Sequence, residues 1–109
     1  MAYDQGVAQR IREAMAEESG LSEREMFGGI GFMLDGNMAC GVIGDDLMVR
    51  VGAERHQEAL DLPGVRPFDM TGRPMWGWAV VGAEALEDED VFSMWVAWGV
   101  GTARSLPSK

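Results

Sequence analysis

The side chains able to do chemistry are few in this sequence and poorly grouped. His56 is the single histidine and Cys40 the single cysteine. His56 lies in Glu54-Arg55-His56-Gln57-Glu58 and reads as a solvated surface residue. Cys40 lies in an uncharged run and reads as a buried, inert thiol. Structural zinc needs several convergent thiol or imidazole ligands, and neither a Cys-x-x-Cys nor a His-x-x-x-His spacing occurs; carboxylate-only metal sites stay open. Nucleophilic catalysis needs Ser or Cys beside a His base. No Gly-x-Ser-x-Gly is present, and Ser19, Ser22, Ser93 and Ser105 are scattered. Asp45-Asp46 sit in a turn pattern and Asp69 near a strand end, which argues for solvation rather than general acid–base work. Gly28-Gly29-Ile30-Gly31 lacks a dinucleotide spacing and runs straight into strand residues, so it marks a bulge or a close backbone approach. These residues assign no catalytic, cofactor or metal site, and the expectation is a non-enzymatic protein.

The elements that must position these side chains are easier to read. Val7, Ile11, Ala14 and Met15 recur at helical spacing opposite Arg10, Glu13 and Glu17, which predicts an amphipathic helix over 3–19 closed by Gly20. Three strands follow, over 26–34, 38–43 and 47–51. Phe32 and Leu34 alternate with Gly31 and Met33, and Asp35-Gly36 is the dipeptide of a type I′ turn. Gly44-Asp45-Asp46 turns the chain again, after which Leu47, Val49 and Val51 face one way and Met48 and Arg50 the other. A short helix over 53–60 turns Ala59 and Leu60 inward and stops at Pro63-Gly64.

Two more strands, over 66–70 and 75–81, are separated by Thr71-Gly72-Arg73-Pro74. In the second, Trp76, Trp78 and Val80 share one face and Met75, Gly77, Ala79 and Val81 the other; with no charge on either, the strand is central or covered on both sides. Asp88-Glu89-Asp90 opens a last helix through capping and dipole chemistry. From 91 to 103 that helix has no charge, with Phe92, Val96, Gly99 and Ala103 as its inward stripe and Trp95 beside it. Val91, Met94 and Trp98 widen the apolar surface further; the surplus is either wrapped by neighbouring elements or buried against another chain. The expected fold is α+β in two layers, a mostly antiparallel five-stranded sheet packed by helices, in the order α-β-β-β-α-β-β-α. Residues 1–109 make one domain.

With 109 residues and 47% apolar content, the chain buries a modest core. Nine Met and four Trp are many for this length and serve either irregular packing or adaptable contact surfaces. Eighteen acidic residues against nine basic ones give a net charge of −9, which disfavours phosphate backbones and anionic membranes. No apolar leader or membrane-length run is present, so the expected location is cytoplasmic.

Several of these segments together resemble a known family. Met26-Phe27-Gly28-Gly29 before an apolar strand, then Asp35-Gly36, a second strand and Leu47-Met48-Val49-Arg50-Val51, is similar to the N-terminal domain of the TfoX/Sxy competence regulators. Arg66-Pro67-Phe68, Gly72-Arg73-Pro74-Met75 with Gly77-Trp78, and the ending from Trp95-Val96 to Pro107 resemble its single-domain branch. The resemblance implies a secretion-chaperone-like arrangement of helices on an antiparallel sheet and a regulatory, non-enzymatic role. Full-length members promote transcription of DNA-uptake genes with the cyclic-AMP receptor protein and carry a second, C-terminal domain. This sequence ends at Lys109 without one, so the transcriptional role is not expected to carry over, and the acidic balance with no run of basic residues argues against direct nucleic-acid binding by the chain alone. Trp76 departs from the polar or basic residue this branch implies and enlarges the apolar surface.

The leading expectation is a homodimeric module that binds a protein partner, with Trp76, Met94 and Trp98 as contacts and Arg73 at the rim. The alternative is a DNA-associated transcriptional accessory protein using Arg50, Arg55 and Arg73. Small-ligand binding near Gly28-Gly29 and the Arg73 loop is the third class.

Overall fold

The computed structural model describes residues 3–26, 28–69 and 74–107. Its elements are α1 (Gln5–Ala14), β1 (Leu21–Met26), β2 (Gly29–Leu34), β3 (Asn37–Ile43), β4 (Asp46–Arg50), α2 (His56–Leu60), β5 (Val65–Asp69), β6 (Pro74–Val81) and α3 (Glu89–Arg104), with a 3-10 turn at Ala85–Glu87. The strands form one antiparallel sheet in the order β1-β2-β3-β4-β6-β5. The α+β expectation stands, but the sheet has six strands rather than five. The segment over 26–34 is divided: β1 ends at Met26, Gly28 takes φ 76°, and β2 starts at Gly29.

α1 is likewise shorter than the 3–19 expected, running only to Ala14 with Met15 as its C-cap, and α2 starts at His56 rather than 53. Asp4 caps α1 by accepting from the Val7 amide. Val7, Ile11 and Met15 are buried as the spacing requires, whereas Ala14 is exposed and Ala8 takes an inner position. Asp35 and Gly36 have φ of 51° and 86°, the two positive values a type I′ turn needs.

The helices lie on one face of the sheet and enclose the main core. Phe32, Leu34, Leu47 and Val49 meet Phe92, Trp95 and Val96 there. Asp88 accepts from the amides of Asp90 and Val91 and so starts α3. α3 then crosses β3 at Gly99, where an added Cβ would stand 2.4 Å from the Ala39 carbonyl oxygen. Cys40 is buried in this core, and burial pushes its thiol up to about 12, so it carries no thiolate at neutral pH.

The other face of the sheet carries a second apolar cluster built from strands. Met38, Met48, Phe68 and Val80 are buried in it, with Met26, Met33, Ile43 and Trp78 packed around them. β6 is an interior strand, between β4 and β5, in agreement with its uncharged faces. Among the described residues no helix is long and apolar enough to cross a membrane.

Candidate interaction surfaces

The candidate contact residues fall into three groups. Trp76 and Trp98 come together around the loop between β4 and α2. The Trp76 indole N–H donates to the Ala53 carbonyl at 3.0 Å, and that of Trp98 to the Val51 carbonyl at 3.0 Å. Trp98 is also stacked on Trp95, ring centres 5.1 Å apart, with the Arg55 guanidinium 3.8 Å over its other side. Much of Trp98 is therefore committed to holding this loop against α3, while Trp76 is 63% exposed.

His56 is corrected from a surface residue to a buried one, with 2% of its area exposed. Its Nδ1 accepts the Gly77 amide at 2.9 Å, and its ring lies 3.9 Å from that of Trp76. The cause is the backbone of Gly77, whose φ of 91° lies in the left-handed region while its carbonyl accepts from Val51 and Gly52. An acceptor was needed for the displaced amide, and the first turn of α2 supplies it. Accepting at Nδ1 fixes the neutral ring with its proton on Nε2.

Met94 is separate from this group. It is 41% exposed and lines a groove of about 410 Å³ with Leu62, Pro63, Ala85, Val91 and Trp95. Arg73 lies outside the described residues, as do Phe27 and Gly72 of the family motif. Of the rest of that motif, Met26, Gly29, Arg50 and Trp78 converge on the helix-free sheet face, Gly28 ends β1, Pro74 opens β6, and Met75 is exposed.

That helix-free face is the surface that residue-by-residue reading did not assemble. Gly31 and Gly41 are cross-strand partners, and the Cε of Met38 would lie 2.9 Å from a Cβ on either. Met48 Cε would lie 3.1 Å from one on Gly41. The two glycines thus form a shallow trough that lets flexible thioether side chains lie flat on the sheet. Arg50 stands 5.2 Å over Trp78 and donates to the Met38 carbonyl at 3.4 Å. The available signal was the alternation itself: Gly31, Met33, Met48, Arg50, Trp78 and Val80 share one side once the register is known.

Gly29 makes a different close approach, since a Cβ there would lie 2.1 Å from the Val42 carbonyl oxygen. It is a strand-to-strand contact, as a glycine within a strand allows. Among the described residues no group of three or more His, Cys, Asp or Glu converges to hold a metal ion.

A sequence model described as the TfoX N-terminal domain matches residues 13–103, most of the chain. No curated protein matches it.

Proposed function

The chain belongs to the TfoX N-terminal domain family, and from that premise we propose that it is a non-enzymatic regulatory module that acts by binding a protein partner. The family points to a competence-related regulatory role. The observation that carries the binding reading is the second apolar cluster, a Met-rich sheet face to which, among the described residues, strands alone contribute. Its centre is closed in the free molecule while its rim, Met26, Met33, Ile43 and Trp78, is half-buried, and Met-rich surfaces re-pack readily around a partner. The proposal places the module in the cytoplasm and makes it a homodimer through the exposed side of α3, where Met94 borders its apolar groove.

Affinity capture of the tagged protein from its own lysate, with and without nuclease, tests this reading. A protein partner that survives nuclease and is lost with Met33→Gln is the expected result. Partners held only through intact DNA would favour a transcriptional accessory role instead. Light scattering of the wild type and Met94→Asp checks the dimer, which the substitution is expected to dissociate.

A further inference from the structure

We propose that the helix-free sheet face docks an acidic amphipathic segment, one whose apolar stripe is flanked by Asp or Glu. This deepens the protein-binding reading and rests on it. The argument is charge complementarity. Strand register gives the face three arginines, Arg24, Arg50 and Arg66, against one carboxylate, Asp46. Asp46 is already occupied: its Oδ2 holds Arg66 at 2.6 Å and its Oδ1 accepts the Ala83 amide.

Arg24 and Arg50 have no carboxylate partner among the described residues, and the remaining residues bear no acidic side chain. In a molecule of net charge −9, two guanidinium groups without a carboxylate beside an apolar centre mark an unusual spot, Arg50 being held there only by Trp78 and the Met38 carbonyl. The other described arginines, Arg10, Arg12, Arg55 and Arg104, all pair with acids elsewhere on the molecule.

The centre of the face is closed by Met38 and Met48, 8% and 3% exposed, so an apolar side chain enters it only by displacing them. Met38 and Met48 lie across the Gly31–Gly41 trough on flexible stems, so they re-pack at small cost around a new neighbour. A helix carrying Leu or Met at i, i+3, i+4 and i+7 fits such a surface, and carboxylates along its flanks reach arginines at the border. A second copy of this chain is a poorer occupant, because the same face brings no free carboxylate to meet Arg24 and Arg50. Duplex DNA is poorer still, since phosphates would face a thioether and indole surface on a strongly acidic protein.

Methyl NMR of protein labelled at its methionine methyls tests this. The probes are a Leu/Glu amphipathic peptide of about four helical turns, the same pattern with Lys in place of Glu, and duplex DNA. The Glu peptide is expected to shift the Met33, Met38 and Met48 methyls saturably, at least about tenfold more tightly than the Lys peptide, and to weaken with salt. Arg24→Glu with Arg50→Glu should reverse the preference. Arg24→Glu alone, at an exposed edge position, should weaken the Glu peptide with an unchanged urea midpoint and keeps the test readable if the double variant does not fold.

Equal binding of both peptides overturns the acidic class while leaving a protein-binding face. A preference for DNA overturns it in favour of nucleic acid, and shifts that follow protein concentration alone overturn it in favour of a second copy. No shift with any probe overturns both the inference and the docking role of the face.

Discussion

His56 shows how one backbone conformation determines the role of a side chain. Gly77 takes φ 91° and turns its amide toward α2, where Nδ1 of His56 accepts it in a buried setting. Replacing His56 by Ala leaves that amide without its acceptor and removes the ring beneath Trp76. The expected loss is about 1–3 kcal/mol, the usual cost of an orphaned buried donor, read as a lower urea midpoint. An unchanged midpoint would mean that water replaces the imidazole. A second residue-scale effect depends on pH. The Glu23 carboxyl titrates below its ordinary range, first because it accepts hydrogen bonds from the Arg12 guanidinium, with coulombic attraction adding and desolvation opposing. A carboxylate whose folded pKa lies below its unfolded one stabilises the fold above the unfolded value. That stability is lost as pH falls through the lowered folded value. Because both partners are about one-third exposed, the pair contributes only about 0.2–1 kcal/mol. Glu23→Gln should therefore unfold slightly more easily than wild type at neutral pH, and the difference should vanish in strong acid. A gap that persists in acid would assign the effect to packing rather than charge.

At the scale of elements, the decisive contact is α3 on β3. Gly99 lets the helix approach until its missing Cβ would be 2.4 Å from the Ala39 carbonyl oxygen, which is backbone and cannot rotate away. Gly99→Ala should therefore push the helix off the sheet and cost about 1–3 kcal/mol by overpacking, despite the better helix propensity of Ala. A stabilised variant in thermal unfolding would show that the helix slides at no cost. The inward stripe of α3, including Gly99, was legible because Phe92, Val96, Gly99 and Ala103 recur at helical spacing, although the uncharged flanks left its width open. The type I′ turn at Asp35-Gly36 was legible because it rests on two residues whose backbone preferences are local. β1 was not. Leu21–Met26 is an edge strand with Ser22, Glu23, Arg24 and Glu25 in its middle, so neither face shows an apolar run. Its strand state comes from pairing with β2, a tertiary effect that single-strand alternation cannot display. The site was half legible for a related reason. The methionines were visible, but their convergence needs the cross-strand register. The burial of His56 needs the unusual φ of Gly77.

At the scale of the whole molecule, the described residues form a sheet with two apolar faces, and their helices pack on one of them. The helix side holds the largest buried side chains, among them Trp95, Phe32 and Phe92. Unless the opposite side is a second core, stability and binding should separate between the two faces. Edge pairing is an inferior route to partners, since β1 presents charges and β5 carries Pro67, both of which discourage strand addition. The broad sheet face is thus the surface to alter. Met33→Gln with Ile43→Thr changes two half-buried members of the Met-rich cluster and leaves the helix-side core intact. The unfolding free energy read from urea titration should fall by about 1 kcal/mol or less, as for substitutions outside a core, while partner capture is lost. Phe92→Ala, by contrast, empties the helix-side core and should cost about 3–5 kcal/mol. If the double substitution unfolds the protein as severely as Phe92→Ala, the cluster is a second core, and the search for the partner moves to Met94 and the exposed indole of Trp76.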